Sequence, residues 1–63
     1  MVIQVCYNLD RDNLDRELTG LFEALREMKQ KEGTIITLNQ RDKLTGNGLT
    51  ANVIPAFEFM ARV

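Results

Sequence analysis

Sixty-three residues make one domain at most, and a chain this short buries only roughly 60% of the surface it exposes when unfolded. Eight basic residues against nine acidic, a net charge of −1, argue against a generic phosphate-binding surface. One cysteine and no histidine remove the disulfide and zinc staples of small domains. With a core worth about 3–5 kcal/mol, the chain is a marginal domain, one stabilised by self-association, or a piece of something larger, the last two together being expected.

The chain opens with Val2-Ile-Gln-Val-Cys-Tyr7, a β-rich run in which Ile3, Val5 and Tyr7 share one face and Val2, Gln4 and Cys6 the other. Both faces are largely apolar, as expected of an interior strand covered on both sides. An interior strand at the start of a chain implies further strands of the same sheet outside it. Asn8 to Asp12 is rich in residues that turn and cap. Asp12 is the expected helix cap, with Asp10 as the alternative.

Asp12 to Gln30 then reads as one amphipathic helix. Leu14, Leu18, Leu21, Phe22, Leu25 and Met28 recur at steps of three and four and share a face that must be buried. Gly20 costs this helix about 1 kcal/mol relative to alanine and lies away from the leucine stripe. Either a neighbour packs on the outer side, which makes Gly20 a candidate contact point, or the glycine is an uncompensated local defect. Gly33 is expected just past the last turn, where a left-handed residue ends a helix.

Thr34 to Leu38 forms the second strand, and strand, helix and strand with short connections predict a parallel βαβ unit with a right-handed crossover. Gly46-Asn-Gly48, between Lys43–Thr45 and Leu49–Ile54, predicts a hairpin. Pro55 suits the start of a short final helix, Ala56 to Arg62. Phe57, Met60 and Ala61 are expected on its inner side. Phe59 is left over as an exposed docking point for another chain or for the rest of the sheet. The fold class is therefore α/β (α+β), a small mixed sheet with one long helix on one face, in the order β-α-β-β-β-α.

Few constellations point to chemistry. Gln4 and Cys6 project from one face of the first strand, two residues apart, as a metal ligand and a catalytic lysine do in many nucleases. Without a carboxylate or an ammonium, the pair lacks the charge that holds magnesium, so these are degenerate candidates. A glutamine bonded to backbone and a cysteine acting as a small apolar filler is the simpler account. Cys6 has no histidine to make it a nucleophile. Glu17 sits at the edge of the apolar stripe, placed either to reach a donor or to remain in solvent. Asp10, Asp12 and Asp15 lack the glycine and terminal glutamate of a calcium loop. Gly46-Asn-Gly48 lacks the lysine and helix start of a phosphate loop. The arginines and lysines are scattered and no aromatic ladder accompanies them, so nucleic acid is not an expected partner. No apolar run reaches the ~18–20 residues of a membrane span. No secretory signal is apparent, and a lone cysteine fits a reducing compartment, so a cytoplasmic location is expected.

The order of these segments resembles the extreme C-terminus of large prokaryotic P-loop ATPases of the AAA type, whose final domain has a nuclease-like PD-(D/E)xK fold. IQVCYNLD, the helix with DRELTGLFEAL, KEGTIITLN and ANVIPAFEFM carry the likeness. Ile3, Gln4, Val5, Cys6, Tyr7, Arg16, Glu17, Leu21, Gly33, Ile35, Ile36, Thr37, Val53, Ile54 and Pro55 match that pattern. Phe57 and Phe59 stand where aromatics are expected. In active relatives the first strand carries E-x-K, and this chain departs from it at both Gln4 and Cys6. The resemblance thus implies a C-terminal fragment, itself non-catalytic, in a structural or partner-contact role. It holds no cofactor of its own, ATP and Mg being implied only for the domain upstream. Its partners would be the rest of the parent chain and, in isolation, a second copy of itself. The alternatives are a divergent metal-dependent nuclease half-domain and an independent small protein-binding module.

Overall fold

In the computed structural model, which describes residues 2–61, the elements run β1 (Ile3–Val5), α1 (Leu14–Glu27), β2 (Glu32–Thr37), β3 (Asp42–Gly46), β4 (Leu49–Pro55) and α2 (Ala56–Ala61). The mixed four-stranded sheet has the spatial order β1-β2-β4-β3. β1 runs parallel to β2, as the βαβ pattern predicts, and β2 runs parallel to β4, with Ile35 opposite Val53. β3 pairs only with β4, antiparallel, so β4 is inserted between β2 and β3. The β3–β4 hairpin closes at Gly46 and Leu49 on a two-residue loop, Asn47 (φ 52°) and Gly48 (φ 78°). Two successive positive φ values define the turn whose twist suits a hairpin, and Asn-Gly is the pair that tolerates it.

α1 lies over β2 and β4. Its Leu21 and Leu25 are fully buried against Ile35, Leu49, Ala51 and Val53, with Val2, Cys6, Leu18, Phe22 and Leu44 packed around them. Burying each leucine stabilises the fold by about 1.5–3 kcal/mol. The stripe ends sooner than its periodicity suggests, because Met28 is 64% exposed.

Three local expectations are corrected. The helix starts at Leu14, not Asp12, because the Asp10 carboxylate accepts from the N–H groups of Asp12 (2.9 Å) and Asn13 (3.1 Å) and holds a separate turn before it. Asn13 is the N-cap residue, but its side chain looks backward, accepting from Asp10 N and donating to Asn8 O. At the other end Lys29, not Gly33, takes the left-handed position (φ 55°), with Lys29 N donating to Arg26 O and Gln30 N to Leu25 O. This is the Schellman arrangement, two bonds that satisfy the last carbonyls, built here on a lysine. Gly33 instead lies buried inside β2, where a Cβ would stand 2.9 Å from Leu21 Cδ1 and 3.2 Å from Leu25 Cδ2. Its missing side chain is what lets α1 settle on the sheet.

The third correction concerns α2. Phe57 (66%) and Met60 (72%) are exposed and Ala61 is exposed with them, whereas Phe59 is half-buried. α2 packs on β4 and β2 with Phe59 turned inward, and Arg41 Nη1, 3.0 Å from Glu58 Oε1 and 2.9 Å from Oε2, fits that roll. Arg62, the expected last residue of this helix, lies outside the described residues.

The two glycines that matter have opposite expected responses to a methyl group. Gly33→Ala forces two core leucines aside and lowers stability by about 1–3 kcal/mol. At Gly20 a Cβ would meet only Gln4 Oε1, at 3.8 Å, so Gly20→Ala raises stability by about 1 kcal/mol through helix propensity. Urea unfolding of the two variants beside the parent chain measures both.

Candidate functional site

Alternation along β1 sends Gln4 and Cys6 beneath α1 and Ile3, Val5 and Tyr7 to the opposite, outer face. Gln4 is half-buried and committed. Its Nε2 donates to the Glu17 backbone carbonyl (3.1 Å) and to Glu17 Oε1 (2.6 Å), so one amide ties β1 to the first turn of α1. Arg16 Nε approaches the other Glu17 oxygen at 3.8 Å, in solvent. Cys6 packs against the core and its thiol donates to Asn8 O (3.4 Å), which keeps it in the β1–α1 connection. Gln4 and Cys6 thus share a face as expected, and each is engaged in holding the helix and its leading loop. Among the described residues, no group of three or more His, Cys, Asp or Glu side chains is arranged to hold a metal ion. No helix among them is long and apolar enough to cross a membrane.

The second feature is β1 itself. Among the described residues it forms one edge of the sheet, with both of its faces largely apolar as the sequence predicts. Those faces remain informative, because only one is covered. Ile3 (41%), Val5 (75%) and Tyr7 (69%) are exposed on the outer side. Cys6 N donates to Ile36 O, and Val2 O accepts from Thr34 N, so the even-numbered residues turn their backbone groups toward β2. The N–H and C=O groups of Ile3 and Val5 therefore point to the open side. That edge is short, only three residues, which is itself a protection against strand addition, but it carries no charge, no proline and no bulge. The β3 edge is different, with exposed Asp42 and Lys43 beginning its strand.

The outer face is divided. Toward β3 it is polar, with Lys43, Thr45, Thr50 and Asn52, and Asn52 donates to Glu32 Oε1 at 2.8 Å. Toward β1 it is apolar. Val5, Tyr7, Ile36 and Leu38 floor a shallow depression of about 200 Å³, with Ala56 of α2 at its side.

A third feature is a cleft of about 320 Å³ at the carboxyl ends of β1 and β2, floored by Leu9, Leu14, Leu44 and Val53. Its polar rim is already occupied. Gln40 Oε1 accepts from Leu9 N (2.7 Å) and Gln40 Nε2 donates to Leu9 O (2.8 Å), while Arg41 holds Glu58. Gln40 was missed in the sequence because its partner lies 31 positions away and nothing local marks it. Gly20, exposed on α1 where a Cβ would point toward Gln4 of β1, lines a shallow hollow with Glu23, Ala24 and Glu27. Phe59, the other expected contact residue, is replaced at the surface by Phe57 and Met60.

No family model, no curated protein and no solved structure matches this chain.

The Gln4–Glu17 contact predicts what a carboxylate at position 4 does. In Gln4→Glu two carboxylates face each other where an amide now donates, and each raises the other's pKa in the folded state. Raised folded-state values mean stability is lost as pH rises through them, so the variant is destabilised at pH 7 and recovers toward the parent below about pH 5. Thermal unfolding at the two pH values, with Gln4→Ala as the uncharged reference, measures the difference.

Proposed function

We propose that this chain is a non-catalytic, structural part of a nuclease-like domain that ends a prokaryotic AAA-type ATPase, and that its work is contact with the rest of that domain. One observation carries the reading: β1 is a short edge strand open to pairing on one side. It is uncharged, its Ile3 and Val5 backbone groups face outward, and its outer side chains are apolar. A sheet edge of this kind is a template for another strand. The likeness of IQVCYNLD and ANVIPAFEFM to the ends of those ATPases supports the same assignment, and a strand from the parent domain is the natural occupant. The engagement of Gln4 by Glu17 supports a structural use of the position where active relatives carry a carboxylate. In this reading nucleotide and magnesium belong to the ATPase domain and the chain acts in the cytoplasm.

The size of the endogenous polypeptide tests it. An antibody against this segment is expected to detect, in lysate of the source cells, a protein far larger than 7.2 kDa that is labelled by a photoreactive ATP analogue. Within that protein the amides of Ile3 and Val5 exchange slowly with solvent, and in the isolated chain they exchange fast. An endogenous product of 7.2 kDa, or fast exchange in both settings, overturns the proposal.

A further inference from the structure

We infer that the outer face of the sheet is a self-complementary dimer surface, in which α2 of one copy seats on the β1–β2 depression of a second copy and receives the same contact in return. The inference uses the outer face and not the β1 edge, so it stands whether or not a strand joins that edge.

The chain presents a groove and a ridge on the same side. The groove is the floor of Val5, Tyr7, Ile36 and Leu38 with Ala56 as its wall. The ridge is Phe57 and Met60, three residues apart on α2 and therefore on one side of it. The roll of α2 is known from its two flanks. Glu58 is held by Arg41 on the flank toward β3, and Ala56 stands on the flank toward β1. Met60, four residues beyond Ala56, shares that second flank, so the ridge rises directly beside the groove. A two-fold axis between them brings each ridge to the partner's groove, the arrangement a symmetric interface requires.

The area is of the right size. Ile3, Val5, Tyr7, Leu38, Phe57 and Met60, each 41–75% exposed, together offer roughly 700 Å² of mostly apolar surface, against ~800 Å² per partner in a standard stable interface. A single monomer seldom leaves more than ~300–600 Å² in one apolar patch. No charged residue belongs to this set, so nothing in it selects an acidic or basic partner or penalises an identical one. Tyrosine, phenylalanine and methionine are the side chains enriched at interface centres.

Sedimentation of the 63-residue chain up to about 100 µM tests the inference, the expected result being a species of twice 7.2 kDa. Met60→Asp and Val5→Asp each weaken the dimer by at least about tenfold, while Glu23→Gln, on exposed α1, leaves it unchanged. Met60 is 72% exposed, so its variant keeps the fold, which circular dichroism verifies. In a mixture of labelled and unlabelled chains, filtered NMR spectra show cross-peaks from the Met60 methyl to the Val5 methyls and Tyr7 ring of the other copy. A 7.2 kDa species throughout, a dimer indifferent to Met60→Asp, or intermolecular cross-peaks confined to the β1 backbone overturns it.

Discussion

The closeness with which α1 rests on β2 sets the rest of the structure. Leu21 and Leu25 reach full burial only because position 33 presents no side chain; a methyl there would already touch both. From that contact the core spreads to Ala51 and Val53 of β4, which itself lies beside β2 through six paired positions. The helix is thereby committed to the β2–β4 half of the sheet, and β1 is covered mainly through Val2, Gln4 and Cys6. An edge strand left half-covered follows directly from where the helix can come closest.

Much of this was legible in the residues, for reasons that differ by element. The leucine spacing of α1 and the alternation of β1 are periodic signals that extend over enough positions to fix type and face. Asn47-Gly48 names its own turn, because few dipeptides accept two positive φ values. Gly33 shows the limit: a glycine after a helix has two uses, a left-handed cap or a close approach, and local sequence does not separate them. Lys29 took the cap because the helix ended at Glu27, six residues before that glycine. The phase of α2 was unreadable for a related cause. Six residues span fewer than two turns, too few for an apolar pattern to fix which side faces the sheet, and contact with β2 and β4 turns Phe59 inward instead.

The candidate sites divide in the same way. That Gln4 and Cys6 share a face follows from strand alternation alone. That Gln4 is spent on Glu17 depends on where α1 crosses β1, thirteen positions later, and no periodicity announces it. The Gln40 bridge between the two loops at the carboxyl ends of β1 and β2 is of the same kind. It joins Leu9 by two hydrogen bonds at 2.7 and 2.8 Å, and with the buried Thr37 hydroxyl, which accepts from Gln40 N, it closes the cleft that a ligand would otherwise find polar. Polar groups that look free in a sequence are here the ties between elements.

What remains unspent is apolar, and its placement is lopsided. A surface evolved only to stay in solvent would protect both edges and both halves of the outer face alike, since an exposed strand edge or a large apolar patch is costly wherever it occurs. This sheet guards β3 with Asp42 and Lys43 and paves the β3–β4 half with Lys43, Thr45, Thr50 and Asn52. It does neither at β1. The same short chain therefore contains the residues needed for protection and places them on one side only. Arg41 meets Glu58 on the protected side of α2, while on its other side Ala56 borders the depression of Val5, Tyr7 and Leu38. The six-residue α2 thus has its ion pair on one flank and the uncovered apolar ground on the other.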